Sequence, residues 1–330
     1  MRTRHLAAAA VALLCLATGQ AALHADPPHS RSAAPATAPA AAHRPAAAPA
    51  SGVTKSTAVA PASAGSSQAA AAPNASAKSV KLVPFASPEA QTRLARSRYK
   101  VDFFRLTNHF ETQQNMATCG PTSAVIVLNA LRADTSSSDK PVDKALFPST
   151  FRTQLPPGFE PVPPRYTQAT FFDSRFEQVK PIATFYGAKG PDGKRDGGLQ
   201  LRQLDAILRL HGLDTTLRIV DDAAKDNVIK AELKQNLRTD GDFVLINYAR
   251  AALAQPGGGH ISPLAAYDDA SDSFLVLDVN SNKAPWVWVA CKDLIAAMRT
   301  FDTVENRGYL LIKEGNASQS ATAAQRPHVN

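Results

Sequence analysis

The sequence predicts an α+β fold, with helices early in the folded segment and antiparallel strands later. Pro121 stands shortly before residues 124–131, which are apolar except for Asn129, and proline is favoured in the first turn of a helix. Further along the chain, short apolar runs alternate with clusters of Gly, Asp and Ser, which is typical of strands joined by turns.

The helical part has three predicted elements. A buried helix begins at or next to Cys119 and continues to Leu131. Residues 199–210 carry leucine and isoleucine at a mostly helical spacing, and Gly212 follows as a stop signal. Residues 223–237 predict a third, more polar helix.

The strand part begins with the apolar run 243–248, which predicts a buried strand. Residues 261–267 and 273–279 flank a turn-forming segment and predict a β-hairpin. Two further predicted strands, 286–289 and 308–312, enclose a short helix over residues 292–298.

The N-terminal part predicts export. Residues 1–25 show the pattern of a secretory signal peptide, with Arg2 and Arg4, an apolar run over residues 6–17 and small residues near the end. That apolar run is too short to span a membrane. Residues 26–80 are dominated by Ala, Pro and Ser, which predicts a disordered linker. We therefore expect an exported, periplasmic protein with no membrane span after removal of the signal.

Residues 81–315 form the predicted catalytic domain, and residues 316–330 form a predicted flexible tail. The hydrophobic content of 44% suits a domain of this size. The formal net charge of +8 includes two signal-peptide arginines, and no basic run interleaves with aromatic residues. A nucleic-acid partner is therefore not expected.

The cysteines exclude several classes of site. Cys15 lies in the predicted signal, which leaves Cys119 and Cys291, too few for a disulfide framework or a four-cysteine zinc site. A zinc site from Cys119, His260 and Asp278 is conceivable but lacks the usual ligand spacing. We predict no intrinsic metal or cofactor. Cys291 precedes a predicted helix and is expected to flank it without a catalytic role.

Cys119 is the candidate nucleophile. A cysteine at a helix N-terminus feels the positive end of the helix dipole, which favours the reactive thiolate. On this feature alone, a buried structural cysteine explains the residue equally well. Gln113 lies six residues earlier in a polar stretch, where its amide can donate to an oxyanion or simply face solvent.

His260 and Asp278 are the candidate base and its orienting carboxylate. His260 precedes the first hairpin strand and Asp278 lies near the end of the second, so pairing of the strands brings them together. Asp278 stands in an apolar run, where a carboxylate needs a partner. An imidazole held by a carboxylate can accept a thiol proton and later release it to a leaving amine. Each residue alone also has a structural explanation, as a loop histidine or a strand-end cap.

Together these residues resemble the phytochelatin synthase family. The motifs that carry the resemblance are Gln113-x-x-x-x-x-Cys119-Gly120, the run 127–131, the stretch 258–267 and Leu277-Asp278-Val279. The likeness extends over residues 82–313. It implies a papain-like cysteine peptidase fold, in which a helical part carries the nucleophile and an antiparallel sheet carries His and Asp.

The resemblance also implies attack on glutathione, γ-Glu-Cys-Gly. Cys119 would attack the carbonyl between Cys and Gly, His260 would protonate the departing glycine and Gln113 would help to hold the oxyanion. A γ-glutamylcysteinyl thioester would remain on Cys119. Water would then yield γ-Glu-Cys, whereas a second glutathione would yield a phytochelatin.

Two departures from the family pattern bear on the acceptor. The pattern after the catalytic Asp is Val-x-Arg-[Phe/Tyr]-Lys, whereas here Lys283 is retained and the arginine has become Ser281. Loss of a guanidinium removes a strong carboxylate binder. The short tail after Glu314, in place of the Cys-rich region of the plant enzymes, resembles the short bacterial members. We expect mainly hydrolysis, with weak phytochelatin synthesis.

The resemblance further implies a substrate-binding set. Arg250, ten residues before His260, matches an arginine of the bacterial members and is the predicted partner of a glutathione carboxylate. Lys283 and Arg307 complete the predicted set. Any divalent heavy metal is expected to bind through the thiolates of glutathione. The oligomeric state stays open, a homodimer included.

Two alternatives remain at this stage. A papain-like peptidase acting on another exported peptide would share the triad but leave glutathione intact. A thiol-containing binding module would capture metal or glutathione without turnover.

Overall fold

The computed structural model describes residues 80–136, 140–190 and 192–315. The predicted signal peptide (1–25), all but the last residue of the predicted linker (26–80) and the predicted tail (316–330) lie outside the described residues. Among the helices in the described ranges, none has the length and apolar character needed to cross a membrane.

Helices dominate the first half of the described chain. The α-helices there are α1 (Pro88–Arg96), α2 (Val101–Asn108), α3 (Cys119–Leu131), α4 (Ser149–Arg152), α5 (Gln168–Phe171), α6 (Ser174–Val179), α7 (Ile182–Phe185) and α8 (Leu201–Leu210). Two more, α9 (Asp226–Asn236) and α10 (Cys291–Met298), are interleaved with the strands.

The strands form one antiparallel sheet within the described residues. They are β1 (Val83–Pro84), β2 (Leu213–Ile219), β3 (Asp242–Ala249), β4 (Gly259–Asp268), β5 (Ser273–Val276), β6 (Val287–Ala290) and β7 (Gly308–Glu314). Their order across the sheet is β1-β6-β5-β4-β3-β7-β2. The α+β prediction is confirmed, and so is the arrangement of a helical part that carries Cys119 against an antiparallel sheet.

The sheet separates two apolar cores. Alternate residues of β3 point to opposite faces, with Phe243 and Leu245 in one core and Val244 and Ile246 in the other. The first core is covered by α3 and α8, and the second by α9 and α10. The strands therefore read as continuous apolar runs because both of their faces are buried.

Helix α3 is pressed against β4, which fixes the position of its first residue. From Gly120 to Ala130 every residue of α3 is buried. The Ser123 hydroxyl donates to the Ile261 carbonyl at 3.1 Å. A Cβ on Gly120 would lie 3.3 Å from Leu199 and 3.5 Å from Ile261, so this turn of the helix packs tightly. Cys119 thereby lies beside the start of β4, in contact with His260 and the Ile261 backbone.

Several sequence predictions differ in detail from the observed elements. The predicted strand 273–279 ends at Val276, because Leu277 still bonds to Pro263 but the Asp278 carboxylate then accepts the Asn280 amide and turns the chain. Strand β2 was not predicted. Its sequence is largely polar, and it forms at the sheet edge through pairing with β7.

We predict that Gly308→Ala lowers the free energy of unfolding by about 3 kcal/mol, because overpacking a rigid site costs energy. An added Cβ would lie 1.9 Å from the Arg218 carbonyl oxygen of the neighbouring strand. Gly197→Ala is the matched control, since its Cβ would meet nothing closer than 3.7 Å. Urea unfolding followed by circular dichroism measures both, and equal effects of the two substitutions would refute the packing explanation.

Candidate active site

Cys119 is the first residue of α3 and is half-buried. Burial opposes ionisation of its thiol, but the hydrogen bond and charge of His260 outweigh burial, so the pKa of Cys119 lies below its usual value. Backbone contacts at Ile261 and Gly120 act in the same direction, as does the positive end of the helix. The thiol is therefore prepared to react as a thiolate.

His260 and Asp278 are brought together as the hairpin predicts. His260 is the second residue of β4, and Asp278 lies two residues beyond β5. His260 Nε2 lies 2.9 Å from Asp278 Oδ1. Asp278 occupies Nε2, which leaves the other ring nitrogen, Nδ1, available for the contact with Cys119. Burial disfavours a charged imidazole, but Asp278 and Cys119 more than compensate, so the pKa of His260 is raised.

Asp278 is fully buried and is surrounded by donors. Arg250 Nη2 donates to Oδ1 at 2.7 Å, the Asn280 amide donates to Oδ1 at 2.8 Å and the Tyr248 hydroxyl donates to Oδ2 at 3.1 Å. Burial alone would raise the pKa of Asp278, but His260 and Arg250 lower it overall. The carboxylate is thus held ionised in one orientation and acts as the anchor for the imidazole.

Arg250 occupies a different environment from the one predicted for a substrate ligand. It is 2% exposed, and its Nη2 converges with His260 Nε2 on the same Asp278 oxygen. Its Nη1 is buried with no hydrogen-bond partner among the described residues. The contacts in the structure are therefore internal, and the predicted contact of Arg250 with a substrate carboxylate stays a prediction that depends on Nη1.

Lys283 and Arg307 lie with Arg250 around a glycine-rich turn. A Cβ on Gly257 would lie 3.1 Å from both Arg250 Cδ and Lys283 Nζ, and a Cβ on Gly259 would lie 2.9 Å from Arg307 Nη2. The φ of Gly257 is 119°, which side chains rarely adopt. The glycines of this turn therefore leave room for the side chains of Arg250, Lys283 and Arg307.

Arg307 is anchored on one side only. Its Nη2 donates to Asp302 at 3.0 Å and its Nη1 donates to the Thr300 hydroxyl at 3.0 Å. Its Nε is buried without a partner among the described residues. Arg307 and Arg250 thus each keep one donor nitrogen unused.

Gln113 is held beside the Asp278 turn. Its backbone N–H donates to the Val279 carbonyl at 2.8 Å, and its side-chain Nε2 donates to the Asn115 carbonyl at 2.7 Å. The side chain is buried, with 8% of the residue exposed. Because an amide nitrogen carries two N–H groups, one donor of Gln113 remains for another acceptor.

Sequence reasoning missed two features of this site. The first is the hydrogen bond from Tyr248 to Asp278. The sequence does contain a signal for this contact, because a tyrosine at the end of a buried strand needs a partner for its hydroxyl. The internal role of Arg250 was also missed, because pairing of β3 with β4 is needed to place it beside Asp278. No local pattern indicates that contact.

Cys291 lies in surroundings that differ from those of Cys119. Cys291 is buried at the start of α10, and burial raises its pKa to about 12, which disfavours a thiolate at neutral pH. Within the described part of the chain, no group of three or more His, Cys, Asp or Glu residues is arranged to hold a metal ion.

We predict that iodoacetamide alkylates Cys119 with a half-maximal rate at a lower pH than an ordinary thiol. Only the thiolate reacts, so a lowered pKa keeps the reactive form present to lower pH. His260→Ala should raise that pKa and slow alkylation at pH 6 by about tenfold or more, because a smaller fraction of the thiol is then ionised. Peptide mass spectrometry over a pH series measures this, with Cys291 as an internal unreactive control. Identical pH profiles for wild type and His260→Ala would contradict the prediction.

Comparison with known proteins places the chain in a family. The model of a family described as phytochelatin synthase matches residues 76–148 and 166–309. Glutathione gamma-glutamylcysteinyltransferase 3 of Lotus japonicus is 25% identical over 241 residues, which cover 70% of this chain and 42% of that protein. Glutathione gamma-glutamylcysteinyltransferase 1 of Arabidopsis thaliana is 28% identical over 217 residues, which cover 64% of this chain and 36% of that protein. The chain thus spans less than half the length of these relatives.

Among solved structures, xylellain, a cysteine protease from Xylella fastidiosa, matches at 11% identity with a TM-score of 0.34, over 72% of this chain and 96% of that chain. The family match covers well over half of the sequence and includes the positions of Gln113, Cys119, His260 and Asp278. This chain belongs to the phytochelatin synthase family.

Proposed function

We propose that this chain is a cysteine enzyme that removes glycine from glutathione through a γ-glutamylcysteinyl thioester on Cys119. The observation that carries the proposal is the buried line from Asp278 through His260 to Cys119, in which the pKa of the thiol is lowered and that of the imidazole is raised. A thiolate–imidazolium pair supplies both a nucleophile and a proton donor. The names of the relatives support glutathione as the substrate.

In the proposed first step, the Cys119 thiolate attacks the carbonyl carbon between the Cys and Gly of glutathione. The carbonyl oxygen becomes an oxyanion, which accepts the remaining N–H of Gln113. His260 gives its proton to the glycine nitrogen, the C–N bond breaks and glycine leaves. Asp278 keeps the ring oriented throughout.

In the second step, neutral His260 removes a proton from the acceptor. With water as the acceptor, the thioester is hydrolysed to γ-Glu-Cys. With the amino group of a second glutathione, the product is a phytochelatin. Both routes return the thiol to Cys119.

The cations around the glycine-rich turn support an anionic tripeptide as the substrate. Glutathione carries two carboxylates at neutral pH, and carboxylates pair well with guanidinium groups. Arg250 Nη1 and Arg307 Nε are buried donors without partners among the described residues, and Lys283 approaches the same turn. We assign these three residues to the binding of substrate carboxylates.

Ser281 supports hydrolysis as the main outcome. Its hydroxyl lies 2.9 Å from that of Thr112, so a neutral pair stands where the family pattern has an arginine. An acceptor glutathione must bind with its own carboxylates, and a neutral pair holds these less strongly than a guanidinium does. Water needs no such site. A divalent heavy metal would contribute in this scheme as a thiolate complex of the substrate.

Product analysis tests the proposed function. The purified chain should release glycine and γ-Glu-Cys from glutathione, with only a minor amount of phytochelatin, as measured by liquid chromatography and mass spectrometry with and without Cd²⁺. Cys119→Ala should abolish release, whereas Cys291→Ala is the matched control and should retain it. If the wild-type chain releases no glycine under either condition, the proposal is wrong.

We predict that Ser281→Arg raises the ratio of phytochelatin to γ-Glu-Cys by about fivefold, which corresponds to an ion pair of about 1 kcal/mol with the acceptor. Ser281→Met is the control for side-chain size without charge and should leave the ratio near that of wild type. The ratio is measured at saturating glutathione. An equal change in both variants would show that size, and not charge, limits the acceptor.

A further inference from the structure

Gln168 makes an unusual pair of contacts with the segment that carries Gln113. It is the first residue of α5 and is 1% exposed. Its Oε1 accepts the Gln114 backbone N–H at 2.9 Å, and its Nε2 donates to the Thr112 carbonyl at 3.0 Å. One side-chain amide therefore holds the peptide groups on both sides of Gln113.

These contacts supply the backbone hydrogen bonds that a helix or a strand would otherwise provide to this segment. Residues 110–114 belong to no helix or strand. The backbone of Gln113 donates to Val279 on the opposite side, at 2.8 Å. Three consecutive residues are thus fixed, two of them by Gln168 and the third by the turn that carries Asp278.

Gln168 is itself rigidly supported. Thr167 caps α5, and its hydroxyl donates to Asp143 at 2.7 Å. The neighbouring Tyr166 is held by Asn129 of α3, which accepts its N–H at 3.0 Å and donates to its carbonyl at 2.9 Å. Helix α3, which begins with Cys119, therefore also supports the segment that holds Gln113.

We infer that Gln168 is a positioning residue that sets the location of the Gln113 amide relative to Cys119, an inference that rests on the proposed function of Gln113 in binding the oxyanion. Such a donor must be in place before the reaction, and a displacement of about 1 Å reduces the rate strongly. Burial of both Gln168 polar atoms on backbone partners provides that rigidity.

Gln168→Met tests this inference, because methionine is similar in shape but makes neither hydrogen bond. The first measurement is the rate at which glutathione acylates Cys119, monitored through the release of glycine. The second is alkylation of Cys119 by iodoacetamide, a displacement at a saturated carbon that forms no oxyanion. We expect the rate of acylation to fall by about tenfold to a hundredfold, and the loss to appear in kcat and not in KM. The rate of alkylation should stay within about twofold of wild type.

Two further variants separate positioning from general destabilisation. Gln203→Met is the control, because the Gln203 side-chain amide also accepts a backbone N–H, that of Gln200, at 3.0 Å. This variant should leave the rates of acylation and alkylation near those of wild type. In a Gln113→Ala background, Gln168→Met should have no additional effect on acylation, since the group it positions is gone. An undiminished acylation rate in Gln168→Met, a parallel loss of alkylation, or an additive effect in the double variant would each overturn the inference.

The test also separates this inference from the proposed function. p-Nitrophenyl acetate acylates a reactive thiolate through the same kind of oxyanion without any glutathione-specific contact. If the wild-type chain reacts with this ester but releases no glycine from glutathione, the proposed function fails. Gln168→Met must then slow acylation by the ester for the positioning role to stand, and an unchanged rate overturns it.

Discussion

The buried charge of Asp278 is the constraint on which the rest of the site depends. A carboxylate without solvent is strongly unfavourable unless it is paired and hydrogen-bonded. Here Arg250, His260, Tyr248 and a backbone amide satisfy its two oxygens. Because these donors come from β3, β4 and the turn after β5, the carboxylate and the sheet stabilise one another. Removal of one of these partners would leave the buried charge of Asp278 without full compensation.

The same contacts balance the charges of the site. Asp278 and the Cys119 thiolate are negative, whereas Arg250 and protonated His260 are positive, so the four groups sum to zero. Arg250 also shares the Asp278 oxygen with His260, which weakens the hold of the carboxylate on the imidazole proton. A raised pKa of His260 suits the role proposed for it, in which it first holds a proton and then gives it to a leaving amine.

The protein scaffold joins the segment of Gln113, proposed to bind the oxyanion, to the helix of Cys119, the proposed nucleophile. The segment of Gln113 is tied to the Asp278 turn through Val279 and to α5 through Gln168. Helix α3 is fixed to β4 by Ser123 and to the chain before α5 by Asn129. Both halves of the site therefore rest on one continuous set of buried contacts, which limits relative movement of their reactive atoms.

From the sequence alone we could predict the α+β class, the helix that starts at Cys119, and the hairpin that brings His260 to Asp278. These follow from local signals, namely a proline in a first turn, apolar runs and turn residues, which act over a few neighbouring positions. The family resemblance rested on the same motifs and is confirmed by the match over most of the chain. Export and the disordered linker remain predictions from composition.

The tertiary structure was needed to identify the groups that surround these residues. It shows that Arg250 and Tyr248 both donate to Asp278 and that β5 ends at Val276. It also shows that the Gln168 amide bonds to the peptide groups before and after Gln113. Each of these contacts depends on strand register or on packing between segments far apart in sequence. Local pattern carries no information on such distances, since the partners meet only when the sheet and α3 are assembled.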